Sequence, residues 1–202
     1  MKAATQALAA ATCALIATGC IGGSEGGVTL LGDSITSLAS LDVTERLRDF
    51  DSVKDNAVWG IRVDEQIPTA EEIADRRPDQ VVLNLGTNDV VQGRDSAAII
   101  EDYGTVLDLL DDISCVHVVT LNEHMKDDST LGAKAAEVNV GIRALAAEHD
   151  NVTVTEWSQI FAYPADNGLL MEDKLHPNEE GAKKLGGVMA MMAQSCDLPE
   201  DN

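Results

Sequence analysis

The sequence predicts a three-layer α/β/α sandwich built on a five-stranded parallel sheet, and three observations carry this. Short apolar runs alternate with longer helix-periodic segments along the chain beyond residue 27. The apolar residues make up 45% of the chain but only 3% is aromatic, so the core is Val, Leu, Ile and Ala, which suits strands buried on both faces. The length of 202 residues allows one domain with a substantial core and is too short for two.

The chain opens with Met1-Lys2 and an Ala-rich apolar stretch, Ala3 to Ala17, the pattern of a secretory signal peptide over residues 1–19. It is too short for a permanent membrane span. Ala17-Thr18-Gly19-Cys20 resembles a bacterial lipoprotein box, with Ala17 where Leu is usual. Lipidation at Cys20 would turn the glycine-rich residues 20–27 into a tether to a cell-surface membrane. Ordinary cleavage after Gly19 would release a soluble periplasmic or extracellular protein. Either outcome exports the remaining domain, residues 28–198. With Cys13 removed and Cys20 modified, Cys115 and Cys196 remain as a pair expected to form a disulfide in an oxidising compartment.

Val28-Thr29-Leu30-Leu31 is a short apolar strand ending at Gly32, and the periodic segment Leu38 to Phe50 is a helix. Ser52 to Val58 is a weaker second strand. Asp64 to Arg76 is a helix closed by Arg77-Pro78, because a residue before proline is pushed out of the helical region. Gln80 to Leu85 is the clearest strand. A helix from Ser96 to Asp112 leads to the strand Val116 to Leu121, and a helix from Leu131 to Glu148 leads to the strand Val152 to Val154. His176-Pro177-Asn178 introduces the last helix, Glu179 to Gln194. Units of this length join parallel strands by right-handed crossovers. Cys115 and Cys196 then fall on the rim opposite the carboxyl ends of the strands, so their bridge is structural.

The formal net charge is -21 with no basic cluster. Such a surface repels phosphate backbones and anionic membranes. No nucleic-acid partner is expected, and membrane contact would run only through the N-terminal lipid.

Parallel sheets place their chemistry beyond the carboxyl ends of the strands. Gly32-Asp33-Ser34 follows the first strand, Asn56-Ala57-Val58-Trp59-Gly60 the second, and Gly86-Thr87-Asn88-Asp89 the third; Asp173-Lys174-Leu175-His176-Pro177 precedes the last helix. Each alone is a common turn or helix cap. In this order, along the whole exported chain, they resemble the blocks of the SGNH (GDSL-like) hydrolase family, with Ile35 where GDSL expects Leu and Ala57 where a glycine is common.

The resemblance implies a flavodoxin-like SGNH hydrolase fold and an ester-cleaving enzyme. Ser34 becomes the nucleophile, His176 its base, and Asp173 the group that orients the imidazole, since a serine hydroxyl is a poor nucleophile near neutral pH without an adjacent base. The backbone N–H groups of Ser34 and Gly60 and the Asn88 side-chain amide become the oxyanion hole, where each donor contributes roughly 3 to 4 kcal/mol. Asp33 and Asp89 are expected to bond locally around their turns, and His117 and His149 to be structural or surface residues.

Asn122 and His124, after the fourth strand, are candidate substrate-binding residues, and the loops over residues 90–95 and 122–130 are expected to shape the acyl and alcohol pockets. G-x-S-x-G, H-E-x-x-H, a phosphate-binding loop and CxxC spacing are all missing from residues 28–198, so neither a metal nor a cofactor is expected. The expected reaction is hydrolysis of a carboxylic ester by a monomer, with a short acyl or acetyl group on a glycan or small molecule favoured by the low aromatic content. Alternatives are a lysophospholipase or thioesterase, an O-acyltransferase, and a surface glycan-binding module whose catalysis has lapsed.

Overall fold

The computed structural model describes residues 27–160 and 168–196. The expected signal peptide, Cys20 and nearly all of the tether lie outside the described residues. Strands β1 (Val28–Gly32), β2 (Val53–Asp55), β3 (Gln80–Asn84), β4 (Cys115–Val119) and β5 (Val152–Thr155) form a sheet in the order β2-β1-β3-β4-β5, with every neighbouring pair parallel. The helices are α1 (Ser34–Arg46), α2 (Val63–Arg76), α3 (Thr87–Val91), α4 (Ser96–Leu109), α5 (Ser129–Ala146), α6 (Trp157–Ile160) and α7 (Glu179–Gln194).

Side chains alternate across each strand, and that alternation divides the core into two layers. Leu31, Val81, Leu83, Val116 and Val118 pack with Ile73 of α2, Ile99 and Tyr103 of α4, and Val138 and Ile142 of α5. Val28, Leu30, Val82 and Val119 face the other way, against Ala39 and Val43 of α1 and Leu185 and Met189 of α7. Gly186 lets α7 press onto α1, because a Cβ there would lie 2.7 Å from the Asp42 side chain and 3.0 Å from the Ala39 carbonyl.

The structure departs from the sequence reading where side chains intervene locally. α1 starts at Ser34, not at Leu38, because the Asp33 carboxylate accepts the Ile35 N–H at 2.9 Å and caps the helix one residue after the strand. β2 is shorter than expected because Asp55 Oδ1 takes the Ala57 N–H at 2.9 Å and bends the chain. The bent segment still donates from Asn56 to the Leu30 carbonyl (2.9 Å) and from Val58 to the Gly32 carbonyl (3.1 Å), which ties it to the end of β1. α3 and α6 went unread, since elements of 5 and 4 residues are too short to show a period.

Cys115, at the amino end of β4, is joined to Cys196, just beyond α7, with a Cα–Cα distance of 6.2 Å. His117 is buried beside them, bonded to Thr153 (2.8 Å) and Gln80 (3.0 Å). Burial pushes its imidazole down to about 4, so it is neutral at ordinary pH. Ligand atoms of Cys115, His117 and Cys196 lie within 4.8 Å of one another, but both sulfurs are engaged in the disulfide. Among the described residues, no helix is long and apolar enough to cross a membrane.

The bridge spans a sequence separation of 81, and closing a loop of that size stabilises by about 4 kcal/mol in the chain-entropy model. The Cys115→Ser/Cys196→Ser double variant, or reductant on the unaltered chain, should lower the unfolding free energy by about that amount in urea titrations.

Candidate active site

Capping by Asp33 makes Ser34 the first residue of α1, at the carboxyl rim of the sheet. Ser34 Oγ lies 2.9 Å from His176 Nε2, and His176 Nδ1 lies 2.6 Å from Asp173 Oδ2. An ionised carboxylate can only accept, so the Nδ1 proton points to Asp173 and Nε2 is left to accept from the serine hydroxyl. The three residues that the sequence placed in two distant blocks are thus one hydrogen-bonded line.

The loop carrying Asp173 and His176 is held from several sides. Asp173 Oδ1 accepts the backbone N–H groups of Leu175 (3.0 Å) and His176 (3.1 Å). Leu170 pairs antiparallel with Pro177, and the Met171 N–H donates to the His176 carbonyl at 2.8 Å. Burial would by itself raise the Asp173 carboxyl, but the His176 ring and these two amides outweigh it and hold the group below the usual carboxylate range.

Gly60 stands in the left-handed region at φ 77°, and a Cβ there would meet nothing within 4 Å, so backbone conformation rather than space calls for glycine. Its carbonyl accepts from Gln92 Nε2 at 3.4 Å, and Arg62 Nη1 in turn donates to Gln92 Oε1 at 3.2 Å. Among the described residues, no acceptor engages the backbone N–H of Ser34 or Gly60. Asn88 differs. Its Nδ2 donates to the Ile61 carbonyl at 2.9 Å and to Asp33 Oδ2 at 3.3 Å, so both of its amide hydrogens already have acceptors.

Asp33 and Asp89 do more than bond within their own turns. Fully buried Asp33 links the first block to Asn88 in the third. Burial pushes its carboxyl up to about 7, partly opposed by the Ile35 amide and the field of His176. Asp89 accepts the Val63 N–H of α2 at 3.1 Å and Arg94 Nη1 at 2.7 Å; burial raises its carboxyl, with Arg94 opposing.

The structure separates Asn122 from His124. Asn122 lines a cavity of about 10 Å³ together with Asn84 and with Ile35, Thr87, Leu175 and Pro177, which are chain neighbours of Ser34, Asn88 and His176. That is room for about one water or methyl group. The Nδ2 atoms of Asn84 and Asn122 are buried without a partner among the described residues. His124 instead borders an open depression with Glu123, Asp127, Asp128 and Ser129. The segment turns away after Asn122 because Asn122 Oδ1 accepts the His124 N–H at 2.8 Å. Of the two loops expected to shape pockets, the one after β3 contributes Gln92 to the support of Gly60 and no lining to this cavity.

Sequence reasoning missed Trp59. Its indole stacks on the His176 imidazole with ring centroids 5.7 Å apart and planes 20° from parallel, and its Nε1–H donates to Ser37 Oγ at 3.1 Å. The available signal was an aromatic residue directly before Gly60 in a chain that has few.

A family model described as the GDSL-like Lipase/Acylhydrolase family matches residues 30–184. Among solved structures, the chain is similar to a lipase/acylhydrolase from Enterococcus faecalis at TM-score 0.72 and 19% identity, covering 87% of this chain and 98% of that one. It is similar to the C-terminal catalytic domain of a Streptococcus pneumoniae peptidoglycan O-acetyltransferase at TM-score 0.69 and 19% identity, covering 86% and 96%. A carbohydrate esterase family 3 protein from Talaromyces cellulolyticus matches at TM-score 0.67 and 21% identity, covering 83% and 95%. No curated protein matches in sequence.

Asp33 keeps its proton to about pH 7 in the folded protein, whereas an unfolded chain releases it near pH 4. The folded state therefore binds the extra proton between those values, and the Asp33 contribution to stability is lost as pH rises through that window. Asp33→Asn removes the dependence. Its unfolding free energy relative to the unaltered protein should climb between about pH 4 and 7 and level off on either side, read by urea titration at each pH; a flat difference would refute the raised carboxyl.

Proposed function

The chain belongs to the GDSL-like lipase/acylhydrolase family, and from that premise we propose that it is an exported serine esterase forming its acyl-enzyme on Ser34. The family makes it an enzyme of ester bonds. The observation that carries the finer reading is the line Ser34 Oγ–His176 Nε2 at 2.9 Å and His176 Nδ1–Asp173 Oδ2 at 2.6 Å. A surface module with lapsed catalysis has no use for that alignment. Export is supported by the N-terminal leader pattern and by the disulfide.

Ser34 Oγ attacks the ester carbonyl carbon while its proton passes to His176 Nε2. The tetrahedral oxyanion takes the free N–H groups of Ser34 and Gly60, and a third bond from Asn88 as its longer contact, to Asp33, gives way. Collapse breaks the carbon–oxygen bond to the alcohol, which leaves with the proton from His176. Water then attacks the acyl carbon, passes a proton to His176, and the returning proton restores the Ser34 hydroxyl as the acid departs. A sugar hydroxyl in place of water would complete a transfer by the same steps. Asp173 stays ionised throughout, as its lowered carboxyl requires, and stabilises the imidazolium.

The acyl group is short. The cavity lined by Ile35, Thr87, Leu175 and Pro177, chain neighbours of Ser34, Asn88 and His176, has about 10 Å³ of room, enough for a methyl-sized group, which favours a short chain over a long one. Acetyl on a glycan or a small alcohol fits best.

Purified protein should turn over p-nitrophenyl acetate and be labelled at Ser34 by a fluorophosphonate. Ser34→Ala should lose label and reduce kcat on the order of 10⁴-fold or more. Folded protein with neither turnover nor label would refute the esterase reading. Among p-nitrophenyl esters, kcat/KM should fall from acetyl to butyryl to octanoyl; a rising series would point to a lysophospholipase or thioesterase.

A further inference from the structure

We propose that Trp59 is a carbohydrate subsite, its indole receiving a pyranose ring of a neutral acetylated sugar beside the Ser34–His176 pair. The direction in which the sugar lies rests on the esterase reading; its binding to the indole does not.

The chain has two tryptophans, and they are treated oppositely. Trp157 is buried in the core, whereas Trp59 is 62% exposed. Burying an indole removes a large apolar area from water, so one left outside forfeits a stabilisation that the fold could have used. Single exposed apolar residues are ordinary, but Trp59 is not isolated. Val58 beside it and Met171, whose N–H donates to the His176 carbonyl, are also exposed large hydrophobics, and all three sit on the two segments that carry Gly60 and His176. Of the six exposed large hydrophobics among the described residues, these three share the segments that carry Gly60 and His176, while Leu41, Val140 and Met191 stand singly on α1, α5 and α7.

The indole is also fixed in place. Stacking on His176 and the bond from Nε1 to Ser37 Oγ hold it from two directions. A ring held this way loses little entropy when a flat ligand settles on it. In ester cleavage the alcohol oxygen takes its proton from His176, so the alcohol must lie against that imidazole, and Trp59 is the ring 5.7 Å away. A pyranose presents a C–H face that matches an aromatic face in size and polarity. The net charge of -21 disfavours anionic sugars.

The experiment compares kcat/KM for an acetylated xylo-oligosaccharide with that for ethyl acetate, which has no ring. Trp59→Ala should lower the ratio of the two about tenfold, chiefly through KM for the sugar ester, and Trp59→Phe should recover part of it. Equal loss on both substrates, with a shifted pH profile, would overturn the proposal by reducing Trp59 to a support for His176. A greater loss on p-nitrophenyl octanoate than on the sugar ester would overturn it in favour of an acyl-chain contact.

Titration of the unaltered protein with the deacetylated oligosaccharide separates the two readings. Sugar-dependent quenching of indole fluorescence that disappears in Trp59→Phe supports the subsite even if the protein hydrolyses nothing. Ester turnover without such quenching sinks the subsite and leaves the esterase standing.

Discussion

The pairing of β1 with β3, with Gly32 opposite Asn84, positions everything at the carboxyl rim. From β1 the chain goes outward to β2 and then returns to the other side of β1 as β3. The loops leaving β1 and β3 therefore diverge to opposite faces and open a crevice between their ends, as strand-order reversals do in parallel sheets. Ser34 and Asn88 follow these two strands directly. Because strand register is specified by which face is buried, the apolar alternation that builds two core layers also sets the depth of Ser34 relative to Asn88.

Two buried carboxylates then hold the rim together. Asp33 caps α1 and takes a hydrogen bond from Asn88, and Asp89 takes one from the start of α2 while Arg94 binds it, with Asp64 and Asp102 also around that guanidinium. Buried carboxyl groups are costly unless hydrogen-bonded or paired. Here they receive two backbone amides, the Asn88 side-chain amide and one arginine, and in return they tie the first and third blocks to each other and to the start of α2. The Asn88 amide is thus held at the rim by two acceptors, the Ile61 carbonyl and, at greater length, Asp33, and under the proposed mechanism it is the longer bond that yields to substrate. That arrangement keeps a buried polar donor satisfied.

Much of this was legible in the residues. The five strands, the main helices and their parallel order follow from alternation and length, and the bounds of α7 were read without error because Asn178 is a strong cap and the apolar period is clear. Ser34, Gly60, Asn88, Asp173 and His176 stand out in the sequence as short blocks in a set order, and the structure brings Ser34, His176 and Asp173 into hydrogen-bonding distance. Boundaries at α1 and β2 moved because single carboxylates, Asp33 and Asp55, satisfied nearby amides and turned the chain, events that a periodic pattern averages away. Asn122 and His124 looked alike, two polar residues past a strand end, until one hydrogen bond turned the chain between them.

The sequence alone determined the class of chemistry, because acyl transfer demands particular groups and those groups are named by the residues. The tertiary structure alone decided which hydrogens are free, how large a cavity stands between Ile35, Asn122 and Leu175, and that Trp59 lies against His176 and not in the core. These depend on distances between segments far apart in the chain, such as the 142 positions between Ser34 and His176. Such distances exist only once the strands have paired and the layers have closed.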